Sequence, residues 1–134
     1  MKKQQGFSLT ELLIAVVIIG ILAGYAVPSY QKSVLKSARG EGMTDMLDLM
    51  RSQENFFANN YTYTTDLTHL GHQDPYISSN GNYSVVAVKC STALELDQCI
   101  KLIGTAIGNQ SSDGDLILDS RGDRKHNGKN GWIH

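Results

Sequence analysis

With 134 residues, two prolines and a formal net charge of −1, the chain has room for one small domain and an appendage but not for two independent cores. That charge does not predict bulk electrostatic attraction to nucleic acid, and no nucleophile motif, phosphate-binding loop or paired catalytic carboxylate is recognisable, so a non-enzyme without cofactor or metal is expected. The apolar residues are spread unevenly: residues 12–27 are almost entirely apolar, and the remainder has the composition of a polar surface domain.

The first element is an apolar helix over residues 7–27, which would span roughly 30 Å, about one hydrocarbon core. Lys2 and Lys3 precede it and no basic residue follows until Lys32, so the positive-inside rule keeps the N-terminus cytoplasmic and exports the rest. A cleaved secretory signal is the competitor. Against it, the apolar run is long, continues into an amphipathic helix and is not closed by small residues resembling a cleavage site. It also contains Glu11. A carboxylate at the centre of a lone membrane helix costs about 2.5–3.5 kcal/mol and persists only with a partner or a task.

The run Gly6-Phe7-Ser8-Leu9-Thr10-Glu11-Leu12-Leu13, behind a short basic leader, resembles the class III signal of type IV pilins and pseudopilins, and the resemblance extends over residues 1–30. It implies that prepilin peptidase cuts between Gly6 and Phe7 on the cytoplasmic side and methylates the new amine of Phe7. It also implies that Glu11 neutralises the terminal ammonium of an adjoining subunit. Each charge, left unpaired in an apolar filament core, would be penalised, which favours a subunit in register. The implied partners are other pilins, the peptidase and the inner-membrane assembly platform. The implied location is a single-pass inner-membrane anchor with a periplasmic head, then an extracellular filament. Removal of residues 1–6 leaves 10 basic against 13 acidic side chains, a net −3.

Gly20 and Gly24 have the small-xxx-small spacing that lets membrane helices approach closely. With Pro28, which removes a backbone donor, they mark residues 20–28 as the softest part of the helix, and the pilin resemblance implies that this stretch loosens in a filament. Beyond Pro28 apolar residues recur at steps of three and four (Val34, Leu35, Ala38, Met43, Met46, Leu47, Met50, Phe57), with Lys32, Lys36, Arg39, Glu41, Asp45, Asp48 and Arg51 opposite. That period predicts an amphipathic helix half-packed on its own head. Gly40 and Gly42 weaken it by about 1 kcal/mol each relative to alanine, which suits a bend or a crowded contact.

Residues 58–82 read as a long polar and aromatic loop in which residues 65–71 form a capped helical turn ending at Gly71. Strands are expected over residues 83–88, 100–107 and 115–119, with a turn over 109–114. The fold class is therefore α+β: a long N-terminal helix, half transmembrane and half amphipathic, on a small antiparallel sheet of three or four strands, the pilin fold. The expected divisions are a leader at residues 1–6, a membrane and polymerisation helix at 7–28, an amphipathic half at 29–57 and a globular head at 58–134. Cys90 and Cys99 suit a local disulfide on the exported side, contributing about 2–3 kcal/mol in the chain-entropy model; free buried thiols are the alternative. Many pilins tether a C-terminal loop by a disulfide. No cysteine follows Cys99, so residues 122–134 are expected to be mobile.

Arg121, Arg124, Lys125 and Lys129, with His126 and Trp132, form a basic cluster of the general sort that DNA-receptor pilins use. The cluster is short and the mature chain acidic, so a solvated surface is the preferred reading and a nucleic-acid partner the weaker one. Asp113, Asp115, Asp119 and Asp123 match no EF-hand spacing and read as turn aspartates. Arg121-Gly122-Asp123 reads as a turn, and His69 and His72 lack a third metal ligand. The runs of residues 80–85 and 114–122 resemble minor pilins that prime or decorate pili. The resulting expectation is a minor pilin with roles in pilus biogenesis, twitching motility and adhesion. A DNA-capturing competence pilin and a type II secretion pseudopilin are the alternatives.

Overall fold

The computed structural model describes residues 7–132; the leader, with Gly6, and the last two residues lie outside the described residues. Helix α1 covers Leu9–Asn60. After a 3-10 turn at Leu67–Leu70 come β1 (Tyr76–Ile77), β2 (Tyr83–Lys89), β3 (Ile100–Ala106), a second 3-10 turn (Gly108–Ser112), β4 (Leu116–Asp119), β5 (Arg124–His126) and β6 (Lys129–Asn130). The chain divides into two compact units, Met1–Val34 and Leu35–His134.

The first unit holds the apolar part of α1. Leu12, Ile18, Leu22 and Val27 each leave more than half of their surface exposed, and the helix continues through Pro28.

In the second unit the sheet is a meander in which each strand pairs antiparallel with its chain neighbour, in the order β1-β2-β3-β4-β5-β6. Strand alternation decides which face is buried. Tyr83, Val85 and Ala87 of β2, Leu102 of β3 and Leu116 and Leu118 of β4 point inward, onto Met46, Leu49 and Met50 of α1. Gly42 is what lets helix and sheet approach: a Cβ there would sit 2.5 Å from the Tyr83 ring, whereas one on Gly40 would meet nothing. Of the two helix glycines, Gly42 is thus the crowded contact.

Buried polar groups tie the connections down. The Gln53 amide donates to the Thr64 carbonyl at 2.6 Å and accepts the Thr64 N–H at 3.1 Å, which anchors the loop leaving α1. Asp66 caps the first 3-10 turn by accepting the Thr68 N–H, and Gly71 ends it with φ 81°, as the residues there predict. Cys90 and Cys99 form a disulfide with their Cα atoms 5.7 Å apart. Inside the loop it closes, the Leu96 carbonyl accepts the Tyr63 N–H at 2.9 Å.

One cluster joins α1 to the β3–β4 connection and to β5. Arg39 grips Asp113 through Nε at 2.7 Å and through Nη2, and the two side chains are only 11 % and 9 % exposed. Gln110 Nε2 lies 2.8 Å from Asp113 Oδ2, 3.1 Å from the Tyr83 hydroxyl and 3.0 Å from the Leu35 carbonyl. His126 Nε2 is 2.8 Å from the Asp113 carbonyl, an atom that only accepts, so Nε2 carries the proton. Burial pushes the Asp113 carboxyl up, but the Arg39 hydrogen bond and charge, with help from His126 and Gln110, hold it below the usual carboxylate range. The Arg39 guanidinium is raised, chiefly by the same hydrogen bond, and burial pushes the Tyr83 phenol up to about 12.

Two expectations are corrected. The sheet has six strands rather than three or four, because β1, β5 and β6 are two or three residues long and too short to display an alternation. The segment after Gly122, expected to be mobile, is instead built into the sheet edge: β5 pairs with β4 and β6 with β5. His126 and Trp132 are buried, and the Trp132 indole donates to the Ile117 carbonyl at 3.0 Å. An aromatic anchor and a buried histidine replace the missing C-terminal disulfide.

Gly42→Ala should destabilise the head by about 1–3 kcal/mol through overpacking, while Gly40→Ala should stabilise it by up to about 1 kcal/mol. Urea denaturation of the full chain in detergent measures both. Asp113→Ala, which strands the Arg39 charge, should cost about 3 kcal/mol. Because the folded Asp113 value lies below the ordinary one, its contribution is present above about pH 4 and is lost as pH falls through the folded value. Acid titration of the melting temperature should therefore show an acid limb that Asp113→Asn flattens.

Candidate functional site

The residues singled out in the sequence fall in two regions, one in each unit. At the N-terminal end, α1 starts at Leu9 and places Glu11 in its first turn. Glu11 Oε2 accepts the Ser8 N–H at 2.9 Å, which satisfies one of the backbone donors a helix start leaves open. Glu11 thus has an intrachain partner at the helix start, which the sequence reading did not assign to it. Phe7 is 86 % exposed, and no heavy atom lies within 4 Å of a Cβ added at Gly20 or Gly24, so those positions leave room for another helix. By length and composition α1 is apolar enough to cross a membrane.

The second region is the hairpin formed by β4 and β5. Asp119 closes its turn: its carbonyl accepts the Gly122 N–H at 3.0 Å, and its carboxylate accepts the N–H groups of Arg121 and Asp123, each at 3.0 Å. Gly122 has φ 90°, a value that a side chain disfavours. The turn holds out Arg121, and β5 and β6 present Arg124, Lys125 and Lys129; all four are exposed.

Register separates these cations. Arg124 pairs with Leu118 and His126 with Leu116, both on the helix-facing side, whereas Lys125 pairs with the outward-facing Ile117. The Arg124 guanidinium lies 5.1 Å from the centre of the Trp132 ring, a cation–π distance. Lys101 of β3, opposite Asp119, joins Lys125 and Arg121 on the outward face. These three line a cleft of about 200 Å³ with Cys90, Ile117, Asp119 and Asp123. Sequence reasoning missed Lys101: nothing in a seven-residue strand says that it will stand beside residues 121 and 125 until the pairing is known.

The aspartates read as turn formers have structural partners. Asp113 is bound to Arg39, Asp115 accepts the Ala106 N–H at 2.9 Å, and Asp119 holds the hairpin turn. Asp119 also approaches Cys90 and Cys99, but both sulfurs are joined to each other and offer no thiolate to a metal. His69 stacks on Phe56 and His72 meets the edge of Tyr76.

Comparison with known proteins agrees with this architecture. Residues 1–27 match the prokaryotic N-terminal methylation motif, and residues 28–115 match the family described as type IV minor pilin ComP, DNA uptake sequence receptor. The basic hairpin lies just beyond that match. The chain is 36 % identical over 69 residues to the type IV major pilin protein PilA of Myxococcus xanthus, an overlap of 52 % of this chain and 31 % of that protein. It is 35 % identical over 65 residues to the type II secretion system core protein G of Vibrio cholerae, covering 48 % of this chain and 44 % of the relative. The chain thus spans less than half the length of these two relatives. The prepilin peptidase-dependent protein D of Escherichia coli is 27 % identical over 132 residues, which cover 98 % of this chain and 82 % of that protein. With a helix-on-meander head, an N-terminal methylation motif and a family match over well over half of its length, the chain belongs to the type IV pilins, in the family of the minor pilin ComP.

Proposed function

We propose that this chain is a minor pilin that captures duplex DNA at the surface of a type IV filament. The observation that carries the reading is the hairpin: on a mature chain of net charge −3, Arg121, Arg124, Lys125 and Lys129 stand exposed on one short stretch. That stretch is held by the His126–Asp113 contact and the Trp132 anchor. A local cluster of cations binds phosphates whatever the sign of the whole chain, because screening limits each interaction to about 10 Å. The family description, DNA uptake sequence receptor, supports the same partner and raises it above the solvated-surface reading that the sequence favoured.

Assembly follows the pilin pattern in this proposal. Residues 1–6 are a leader removed after Gly6, Phe7 is methylated, and residues 7–28 anchor the chain in the inner membrane with its N-terminus cytoplasmic. The head is exported. On extraction into the filament Glu11 exchanges the Ser8 N–H for the ammonium of a neighbour, and Gly20, Gly24 and Pro28 let the helix loosen. Residues 29–57 form the amphipathic half of the helix and residues 58–134 the globular head. The partners are other pilins, the prepilin peptidase and the assembly platform. The likeness to a secretion-system core protein favours a second reading, a pseudopilin.

Glu11→Ala should reduce the amount of this chain in sheared filaments by tenfold or more, the change that about 1.4 kcal/mol of lost pairing produces. Gly6→Val should leave the leader attached, visible by mass spectrometry. Incorporation and processing at wild-type levels in both variants would sink the assembly scheme. The full chain in detergent should bind duplex DNA with a logarithmic salt slope of about −0.9 for each phosphate contacted; no binding at low salt would end the DNA reading. Deleting the gene should abolish transformation and leave secretion intact, and the opposite pattern would favour the pseudopilin.

A further inference from the structure

The four cations of the hairpin are not equivalent, and a fifth joins them. On β4, Leu116 and Leu118 point into the core, so Ile117 and Asp119 face away from α1. Their cross-strand partners follow them outward: Lys125 beside Ile117 and Lys101 beside Asp119. With Arg121 from the turn, the three line one cleft of about 200 Å³. Each is positioned in advance. The Lys101 ammonium donates to the Cys90 carbonyl at 2.9 Å, on a residue pinned by the disulfide. The Arg121 backbone is fixed by Asp119 at 3.0 Å, and Lys125 rides on a paired strand. Two carboxylates also line the cleft. That of Asp119 is buried and already accepts two N–H groups, which disperses its charge; Asp123 is exposed at the rim.

Arg124 lies on the opposite side of the same strand. Its guanidinium covers Trp132 at 5.1 Å, and with Trp132 it borders a groove that includes Met43 and Leu47 of α1. The cation there serves the packing of the C-terminal anchor.

We propose that the cleft between Lys101, Arg121 and Lys125 seats a phosphate of the DNA backbone, and that Arg124 is a cap on Trp132 and makes no DNA contact. The inference rests on the DNA-capture reading above and adds which cations perform it. It places the nucleic acid on the sheet face turned away from α1 and gives Lys101 a role outside the basic hairpin.

The test uses the full chain in detergent, a labelled duplex, and anisotropy titrations at several chloride concentrations. Lys101→Ala and Lys125→Ala should each weaken binding and flatten the logarithmic salt slope, by up to about 1 where the shared phosphate contact is lost. Lys101→Arg, which keeps the cation, should restore both. Arg124→Ala should lower the melting temperature and leave the slope unchanged. Replacing chloride by inorganic phosphate at equal ionic strength should compete more strongly with DNA on the wild-type chain than on Lys101→Ala, which separates a phosphate seat from general screening. If the wild-type chain binds no DNA, the broader reading falls and takes this one with it. If it binds, but the Lys101 and Lys125 variants match it, or Arg124→Ala flattens the slope as much as they do, this assignment alone is overturned.

Discussion

The head depends on one buried charge pair. Arg39 reaches from the helix to Asp113 just before β4, and neither charge has much water around it. A guanidinium and a carboxylate taken out of water are tolerated only with each other and with hydrogen bonds to their remaining donors and acceptors. Gln110 and Tyr83 supply bonds to the carboxylate, at 2.8 and 3.5 Å, and His126 donates to the backbone carbonyl of the same aspartate. Because the participants come from α1, β2, the β3–β4 connection and β5, the bonds to this one aspartate join four parts of the chain. The Asp113 cluster adds directional bonds to the apolar packing of helix on sheet and ties β5 to it through His126.

The two parts of the helix present different physical problems. Its C-terminal half buries one stripe on the sheet and exposes charges on the other, the compromise of a surface helix. Its N-terminal half exposes apolar side chains all round, which no water-soluble monomer sustains. A bilayer or a bundle of like helices is the environment that removes this exposure, and membership of the type IV pilins agrees with both.

Much of this was legible in advance. The helix, the capped turn at Asp66 and the three long strands carry strong local signals: a 3.6-residue period, an N-cap with a terminal glycine, and runs of β-branched residues. Glu11 stood out in the sequence as a lone carboxylate in an apolar run, and what the fold adds is a bond to the Ser8 N–H. What escaped were features that exist only after pairing. β1, β5 and β6 become strands by lying beside a longer neighbour. Trp132 looked like one aromatic in a polar tail until its indole met the Ile117 carbonyl. Lys101 acquired its neighbours from the register of β3 with β4 and of β4 with β5, and Arg39 found Asp113 across 74 positions of sequence. Charge-to-charge contacts at such separations leave no periodic trace.

The meander has a bearing on how the head comes into being. Every strand finds its partner immediately before or after it in the chain, so apart from docking on α1 no segment must wait for a distant one. Short loops close quickly, and topologies built from them fold faster than those that join remote segments. The sheet can therefore form one ribbon at a time in chain order, with the last ribbon sealed by Trp132.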